Sequence, residues 1–413
     1  MNNISRQAKR ISVTLFSAQS LASAGFITAA TLNSIVGAKL GGSASWAGVP
    51  SAVYLLGGAL AAYGWGYLMD IWGRRGGLVA GLFIGAVGAG LTFQAIAMHS
   101  LPIFLVGMAL MGIANAAVTL GRFAAAEVHP PQSRGRAISN VVLGGAVGAI
   151  LGPLLVGPMG ELAKSQGFDE LSGGYVASGV LFLFACLTVY GGLRPDPRDL
   201  GREIAQLFPE TAKLSGVTRS IGQLLRQPAV KIAMIAMVLG QMVMVMVMVI
   251  TAQHMRSHQH SLNAVSLVIS SHTFGMFGFS VLSGRLADRW GRGMVIIIGS
   301  TTLLLSCLAA TISPEVLPLA VSLFLLGLGW NFCFVGGSTL LADQLSPSER
   351  APTQGFNDLF VGLASASASF SSGLIYDQSG YTIMALAGAA FSLAPLLATS
   401  IWLRGLNRSP MPA

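Results

Sequence analysis

Charged residues are scarce in this sequence. Asp, Glu, Lys and Arg make up only 9% of its 413 residues, whereas 53% are hydrophobic and the mean hydropathy is +0.69. A soluble globular protein usually carries about 25% charged residues, most of them on its water-facing surface. This chain has too little charge to cover such a surface, so lipid must replace water over most of it.

Cysteine is also scarce, and familiar catalytic motifs are missing. The three cysteines, Cys186, Cys307 and Cys333, lie within apolar runs and lack C-x-x-C spacing, so neither a disulfide framework nor a zinc site is indicated. The sequence contains no H-E-x-x-H, no Walker-type phosphate loop and no paired catalytic carboxylates. We therefore expect neither an enzyme nor a protein driven directly by ATP, and we expect no cofactor.

Two further features suggest partners that we do not favour. The net charge of +9 is compatible with nucleic-acid binding, but the basic residues punctuate the apolar runs instead of forming one polar segment. His254, His258 and His260 lie close together, yet no cysteine or carboxylate joins them, so we favour a solvated loop over a metal site. We expect no nucleic acid and no bound metal, and a lipid bilayer as the main surrounding.

The apolar residues fall into twelve runs, each close to the 20 or so residues that a membrane-spanning helix needs. The predicted spans are 11–36, 45–69, 76–98, 101–126, 137–160, 172–193, 229–252, 262–284, 293–312, 315–341, 354–375 and 381–403. One long polar segment with several prolines separates the sixth span from the seventh. This pattern predicts an all-α membrane protein with two six-helix halves, 1–193 and 229–413, joined by a cytoplasmic linker, 194–228.

The basic residues indicate the orientation of these spans. If the N-terminus is cytoplasmic, 20 of the 24 Lys and Arg residues fall on the cytoplasmic side and three on the opposite side, while Arg122 lies within the fourth span. Loops rich in Lys and Arg remain in the cytoplasm. We therefore predict a multi-pass protein of the cell inner membrane with both termini in the cytoplasm.

One loop motif occurs twice, after the second and after the eighth predicted span. Its copies read GYLMDIWGRR from residue 66 and GRLADRWGR from residue 284. The residues of interest in the two copies are Gly66, Asp70, Gly73, Arg74, Arg75, Gly284, Asp288, Arg289, Gly291 and Arg292. Acids that end the fourth and tenth spans, Glu127 and Asp343, are candidate partners for the arginines. Two similar six-helix halves are a known transporter construction.

The repeated loop resembles the hallmark motif of the major facilitator superfamily, and the resemblance covers essentially the whole chain. It implies a twelve-helix fold with alternating access of one central cavity, in which the arginine–acid pairs latch the cytoplasmic side. The alternative is that the arginines only determine topology. We expect Asp70 and Asp288 near the N-terminus of a neighbouring helix, whose dipole favours negative charge. In the first copy Ile71 replaces the usual basic residue, which predicts a weaker latch.

The fifth span is rich in glycine and includes Gly148, Gly152, Pro153 and Gly157. Glycines four residues apart give a helix one smooth face, and Pro153 permits a bend. The pattern is similar to the helix 5 motif of antiporters in the superfamily and favours an exporter, although ordinary small-residue packing is the alternative. The arginine that drug/proton antiporters carry in the fourth span is replaced by Met108, so proton coupling does not follow from the resemblance.

Ionisable residues at membrane depth are few, and each is a functional candidate by default. His272, in the middle of the eighth span, is a candidate for proton exchange, and a neutral histidine bonded to a neighbouring helix is the equal alternative. Asp358 is a second coupling candidate, although its depth fits interfacial packing better. Arg122 is a candidate for attracting an anionic substrate or for pairing with Glu127, and we favour the pair.

Neutral polar residues are more numerous than ionisable ones, and several lie on the first, fourth, seventh and tenth spans, which line the cavity in the superfamily. The candidates are Gln19, Asn33, Asn115, Gln241, Trp330 and Asn331. Each either lines a cavity or serves as an interhelical hydrogen bond. Because the first half has no carboxylate at mid-membrane, a cationic substrate lacks a counter-ion, and we expect a neutral or amphipathic organic solute.

These features predict a monomeric secondary transporter of a small organic molecule, with the solute, the bilayer and protons as its partners. Proton-coupled efflux, as in an antiporter, is the favoured mode. The alternatives are an importer or uniporter of a small metabolite or vitamin, and a non-transporting membrane sensor with the same fold.

Overall fold

A computed structural model describes residues 2–130, 133–207 and 219–408, which form helices and their connections, with no β-strand among them. The α-helices are α1 (Asn2–Gly41), α2 (Val49–Ala97), α3 (Leu101–Glu127), α4 (Arg134–Leu151), α5 (Val156–Ser165), α6 (Ser172–Gly192), α7 (Pro197–Leu207), α8 (Ile221–Leu224), α9 (Pro228–Ser257), α10 (Leu262–Phe277), α11 (Ser280–Trp290), α12 (Arg292–Ala309), α13 (Val316–Asp343) and α14 (Pro347–Arg408). Of the predicted linker, residues 208–218 lie outside the described residues.

The chain divides into two compact units. Unit 1 comprises Met1–Lys213 and Ser261–Ser270, and unit 2 comprises Leu214–His260 and Ser271–Ala413. Within unit 1, α1 packs against α4 and α6, and α2 packs against α3 and α6. Within unit 2, α9 packs against α13 and α14, and α12 packs against the same two helices.

In the described part of the chain, ten segments are long and apolar enough to cross a bilayer, compared with the twelve predicted from the sequence. Two of them, Ala44–Ala97 and Pro352–Gly405, contain 54 residues each. A straight helix of that length would extend about 80 Å, far beyond a hydrocarbon core of roughly 30 Å. Both are interrupted by a glycine with non-helical backbone angles, Gly73 in α2 and Gly380 in α14.

The predicted linker begins with an ordered helix. In α7, Leu200 and Ile204 are buried against α2 and α3, whereas Asp199, Arg202 and Glu203 are exposed. This separation of apolar and polar residues on opposite faces is what allows a short helix to pack on a neighbouring surface. As a result, α7 covers the end of α3 and lies beside the first copy of the repeated loop.

Candidate gating and binding sites

Both copies of the repeated loop contain a glycine in a backbone conformation that is essentially restricted to glycine. Gly73 has φ 80° and ψ 166°, and Gly291, between α11 and α12, has φ 88° and ψ 150°. A side chain would strain the backbone at these angles. The break ends one helix and starts the next within a single residue. The two copies therefore share backbone geometry as well as sequence.

Arg74 connects the first loop to the end of α3. Its Nε donates to both carboxylate oxygens of Glu127 at 3.1 and 3.0 Å, and its Nη2 donates to Oε1 at 2.6 Å. Its Nη1 donates to Asp70, one helical turn earlier, at 2.8 Å. Within unit 1, Asp70 therefore pairs with Arg74 of its own loop.

The second copy forms a similar but more exposed pair. Arg292 donates from Nε to Asp343 at 2.9 Å, and its Nη1 lies 3.1 Å from Asp288. The side chain of Asp343 is 49% exposed, compared with 30% for Glu127, and water screens the more exposed pair more strongly. The pair in the first copy therefore has more contacts and less exposure to water than the pair in the second, although Ile71 replaces the usual basic residue there.

The other residues of the motif differ in their surroundings. Arg289 is exposed and forms no ion pair with any residue that the structure describes. A Cβ atom built on Gly66 or Gly284 would meet no described atom within 4 Å. These glycines therefore leave an open surface on each unit, whereas Gly73 and Gly291 are required by the turn.

A residue that the sequence does not identify holds the first loop in place. The carboxylate of Asp196 accepts hydrogen bonds from the backbone N–H groups of Arg74 at 3.1 Å, Arg75 at 3.0 Å and Arg198 at 2.9 Å. It thereby caps the helix that starts after Gly73, where the unpaired N–H groups favour an anion. An Asp just before α7 is a recognisable helix-start signal, but nothing in the sequence indicates that it also caps a second helix.

Arg198 completes this arrangement from the opposite side of the break. Its Nη1 donates to the carbonyl oxygens of Asp70 at 2.7 Å and Ile71 at 3.2 Å. These carbonyls end the helix that precedes Gly73, and a cation is favourable at a helix C-terminus. The start of the linker therefore caps both helices that meet at the first copy of the motif.

The glycines of the fifth predicted span allow close packing against α1. A Cβ atom on Gly148 would lie 1.9 Å from the carbonyl oxygen of Ser20, and one on Gly152 would lie 2.5 Å from that of Ala24. Thr28 donates to the carbonyl oxygen of Gly152 at 2.8 Å, which ties the two segments together. Gly148 and Gly152 thus let α4 and the turn that follows it lie in close contact with α1.

The rest of that motif lies at the end of the glycine face. Pro153 is buried in a short 3₁₀ turn, Gly152–Leu155, between α4 and α5. A Cβ atom on Gly157 would lie 1.6 Å from the side-chain oxygen of Asn263, in the Ser261–Ser270 segment of unit 1. Gly157 therefore packs against that segment, in a different contact from those of Gly148 and Gly152.

Two of the neutral polar candidates are buried and form hydrogen bonds with neighbouring helices. Asn33 donates to Ser51 at 3.4 Å and accepts from the hydroxyl of Tyr175 at 3.1 Å. Asn331 donates to the carbonyl oxygen of Met276 at 2.6 Å and to Ser280 at 2.9 Å. Both residues have the contacts of interhelical hydrogen bonds.

Three candidates remain partly exposed in unit 1. Gln19 lines a small hollow between α1, α2, α3 and α6, and Asn115 is half-buried on α3. Arg122 does not pair with Glu127, because Arg74 occupies that carboxylate and residues five apart point about 140° apart around a helix. Its guanidinium lies 4.9 Å from the Phe123 ring centre, and its buried Nε has no hydrogen-bond partner among the described residues.

The candidates on α9 and α13 meet in an aromatic cluster in unit 2. The indole N–H of Trp330 donates to the side-chain oxygen of Gln241 at 2.6 Å. The Trp330 ring stacks on Phe334 with their centres 5.1 Å apart, and Phe277 approaches it edge-on at 6.2 Å. All four side chains are only partly buried, so the cluster offers flat apolar surface beside one amide group.

His272 and Asp358 lie in contrasting environments. His272 is fully buried, with Nδ1 2.9 Å from the carbonyl oxygen of Leu323, so a neutral ring donates from Nδ1 to α13. Its Nε2 is buried without a hydrogen-bond partner in the described part of the chain. Asp358 is exposed near the start of α14 and accepts from Gln354 at 2.7 Å. The two residues thus present one unpartnered basic nitrogen and one accessible carboxylate.

Comparison with known proteins identifies the family. The family model described as Major Facilitator Superfamily matches residues 15–256 and 233–412. The chain belongs to this superfamily.

Relatives and solved structures agree with membership in the superfamily. The uncharacterized MFS-type transporter YddS of Bacillus subtilis is 34% identical over 401 residues, covering 95% of this chain and 90% of that protein. The riboflavin transporter RfnT of Brucella anthropi is 29% identical over 374 residues, covering 91% of each protein. The D-xylose-proton symporter superposes with a TM-score of 0.71 at 16% identity, covering 94% of this chain and 96% of that one. This chain is accordingly a multi-pass membrane transporter of small solutes and not an enzyme.

The three histidines of the extracellular cluster predicted from the sequence contact a tyrosine ring and backbone carbonyl groups. His254 lies within α9, not in a loop, and its ring stacks parallel to Tyr381 with the centres 4.0 Å apart. Nδ1 of His258 lies 2.9 Å from the carbonyl oxygen of His254, and Nε2 of His260 lies 3.0 Å from that of Pro314. Two of the three rings therefore direct a nitrogen at a backbone carbonyl.

An ion pair between a partly exposed arginine and a buried carboxylate joins the end of the predicted linker to the start of α14. Glu349, which is 2% exposed, accepts from Nε and Nη2 of Arg219, both at 2.8 Å, and from the backbone N–H groups of Arg219 and Ser346, both at 2.9 Å. The Arg219 side chain and these N–H groups hold the pKa of the Glu349 carboxyl well below its usual range. Both groups belong to unit 2.

We expect the Arg219–Glu349 pair to stabilise the folded protein in a way that is lost in acid, and we expect Glu349→Gln to remove this stabilisation. Because folding lowers the pKa of Glu349, its contribution is fully present above the unfolded value of about 4.5 and is lost as the pH falls below it. We expect the apparent unfolding temperature of the wild type in detergent to fall more steeply from pH 5 to pH 3 than that of Glu349→Gln. Glu203→Gln, an exposed change on α7, is the control and should follow the wild type. Parallel curves for wild type and Glu349→Gln would contradict the prediction.

Proposed function

We propose that this protein is a proton-coupled secondary transporter that exports a neutral or amphipathic organic solute by alternating access. The observation that carries the alternating-access part is the pair of matched ion-pair clusters, Arg74 with Glu127 and Arg292 with Asp343, one in each copy of the repeated loop. Each cluster joins a short loop to the end of another helix within its own unit. Such contacts can form and break as helix ends move, which is what a gate requires.

The proposed topology has twelve spans and two functional halves, 1–193 and 229–413, with 194–228 as the linker. The two 54-residue segments each cross the membrane twice, turning at Gly73 and Gly380, since one crossing needs only about 20 residues. With this topology, the placement of 20 of the 24 basic residues supports cytoplasmic termini and an inner-membrane location. We propose that the protein acts as a monomer.

Export and proton coupling rest on separate features. The smooth face formed by Gly148 and Gly152 against α1 supports an antiporter, because it lets two helices slide or rock at close range. The Nε2 of His272 is buried and has no hydrogen-bond partner among the described residues, which supports proton exchange in unit 2 because a proton arriving there meets a lone pair. The accessible carboxylate of Asp358 is the second site at which a proton can be exchanged.

The test is proton movement in sealed vesicles that contain the purified protein in a known orientation, while a panel of organic solutes is added. We expect solute-dependent proton flux in the wild type and its loss in both His272→Ala and His272→Asn. Asparagine can still donate to Leu323 but cannot titrate, so flux that survives only in His272→Asn assigns His272 a structural role. His99→Asn, at an exposed loop position, is the control. Solute transport without proton flux would overturn the coupling.

Uptake of a planar metabolite is the second candidate function. It is favoured by the riboflavin transporter RfnT among the relatives and by the partly exposed Trp330–Phe334 stack with Gln241 beside it. Aromatic faces stack on planar rings, and one amide fixes their orientation. Riboflavin flux into vesicles, reduced at least about fivefold by Trp330→Ala but not by the exposed Phe370→Ala, would support this function. No riboflavin flux in either direction would exclude riboflavin as the solute.

A further inference from the structure

An open groove of about 720 Å³ lies in unit 1, where α2 resumes after Gly73, α6 ends and the linker begins. The residues that matter in its lining are Trp72, Arg75, Val79, Tyr190, Arg194 and Asp196. Because the apolar helix α6 ends here and the apolar second part of α2 starts here, we place the groove at the boundary between the membrane and water. The gate described above does not use Arg75, Tyr190 or Arg194.

Aromatic and guanidinium groups are arranged together in this groove. The guanidinium carbon of Arg75 lies 4.6 Å from the centre of the Tyr190 ring, and that of Arg194 lies 5.6 Å from it. The side chains of Trp72 and Tyr190 remain 56% and 55% exposed. Tryptophan and tyrosine are enriched where a membrane protein meets the lipid headgroups. The Tyr190 ring thus brings two positive charges together at headgroup level.

The groove carries positive charge without a matching anion. Asp196 is the only acid among the described residues that line the groove, and its carboxylate already accepts three backbone N–H groups in capping the loop. The Nε of Arg75 donates to the carbonyl oxygen of Tyr190 at 3.1 Å. Neither Arg75 nor Arg194 forms an ion pair with a residue in the described ranges. Guanidinium groups with free N–H donors are well suited to bind a phosphate.

Above the groove, the two helices present apolar side chains on their outer faces. Leu183 and Leu187 on α6 are exposed and share a face with Tyr190, at spacings of seven and three residues, and Phe184 is exposed three residues before Leu187. Phe83 and Val87, one turn apart on α2, are exposed as well, and α2 packs directly against α6. This surface continues from the charged groove, so one ligand with a charged head and apolar tails can contact both.

We propose that this groove binds an anionic phospholipid. The guanidinium groups of Arg75 and Arg194 hold the phosphate, the rings of Trp72 and Tyr190 lie against the glycerol region, and the acyl chains follow α2 and α6. A free phosphate ion would use the charges alone and leave the adjoining apolar surface without a role. Because Asp196 caps the backbone of Arg75, the bound lipid contacts the same loop as the Arg74–Glu127 pair. The proposal needs only a membrane location and is independent of transport direction or coupling.

The experiment measures lipid retention by native mass spectrometry on the purified, delipidated full-length protein. Phosphatidylglycerol, phosphatidylcholine and inorganic phosphate are titrated separately into wild type, Arg194→Gln, the double variant Arg75→Gln/Arg194→Gln, and Arg136→Gln. Arg136 is exposed on α4 and is absent from the groove lining, so its loss changes net charge without touching the groove. We expect the apparent Kd for the first phosphatidylglycerol to rise about fivefold per groove arginine removed, since each basic side chain near a membrane surface contributes a similar factor. Arg136→Gln should bind as the wild type does.

Three results would overturn the proposal. Equal retention of phosphatidylcholine would remove the requirement for an anionic lipid. Saturation by inorganic phosphate that displaces phosphatidylglycerol would identify a simple anion site. Unchanged phosphatidylglycerol binding in Arg194→Gln would place the lipid elsewhere. Because Arg194 is exposed, this single variant still provides the test if the double variant does not fold. None of these outcomes depends on solute or proton flux, so they are distinguishable from failure of the proposed export function.

Discussion

Replacing Glu127 with glutamine is expected to slow transport about tenfold while leaving solute binding within about twofold of the wild type. The side chain keeps its shape but loses the charge that attracts the guanidinium of Arg74, which is itself only 20% exposed. A hydrogen bond to a charged group contributes about 1.5–3 kcal/mol, and partial exposure of both partners favours the lower value. If the free energy of the closed state rises by about 1.5 kcal/mol, the barrier through that state rises by the same amount and the rate falls roughly tenfold. Initial rates in vesicles and equilibrium binding in detergent, with the solute that the panel identifies, measure the two quantities.

The second half of the molecule supplies the matched comparison. Asp343 accepts from Arg292 through one oxygen and is more exposed than Glu127, so Asp343→Asn should slow transport only about threefold or less. Arg74→Lys should resemble Glu127→Gln, because an ammonium group cannot reproduce the forked contact with both oxygens. Unchanged transport by both acid variants, with normal folding, would mean that these pairs do not gate the cycle.

Much of the helical architecture can be predicted from the sequence, because it follows from simple lengths and repeats. A run of apolar residues has to be about 20 long to cross a bilayer, and the repeated loop marks equivalent turns in both halves. The positive φ angles of Gly73 and Gly291 agree with glycine at both positions. The contact of Arg74 with Glu127 also follows from opposite charges at neighbouring helix ends, although the sequence provides no basis for its bidentate geometry.

The direction in which a polar side chain points is much harder to predict here. A helix that is apolar on all sides gives no periodic signal for its buried face. The sequence therefore leaves two possibilities open for Asn33 and Asn331, a cavity lining or an interhelical hydrogen bond, and the structure shows that each is hydrogen-bonded to a neighbouring helix. Asp196 escaped prediction for another reason. It caps backbone groups more than 120 residues earlier in the chain, and no local pattern records such a contact.

Gly73→Ala is expected to be among the most damaging small substitutions in the chain. At φ 80° and ψ 166° an alanine costs roughly 1–3 kcal/mol in backbone strain alone. Its Cβ atom would also lie 2.4 Å from Oδ2 of Asp196, which forces the carboxylate away from the N–H groups of Arg74 and Arg75. We expect a lower apparent unfolding temperature in detergent and loss of more than about nine-tenths of transport, because Arg74 would no longer be aimed at Glu127.

Gly291→Ala separates the two causes of this damage. Gly291 has a similar backbone conformation, but a Cβ atom there would meet no described atom within 4 Å, so only the strain applies. Gly73→Ala should therefore lower the unfolding temperature more than Gly291→Ala does. In an Asp196→Ala background the extra cost of Gly73→Ala should shrink to that of Gly291→Ala, since the clashing carboxylate is gone. Equal effects of the two glycine substitutions in the wild type would show that Asp196 does not hold the loop, and the capping role of the linker would then have to be abandoned.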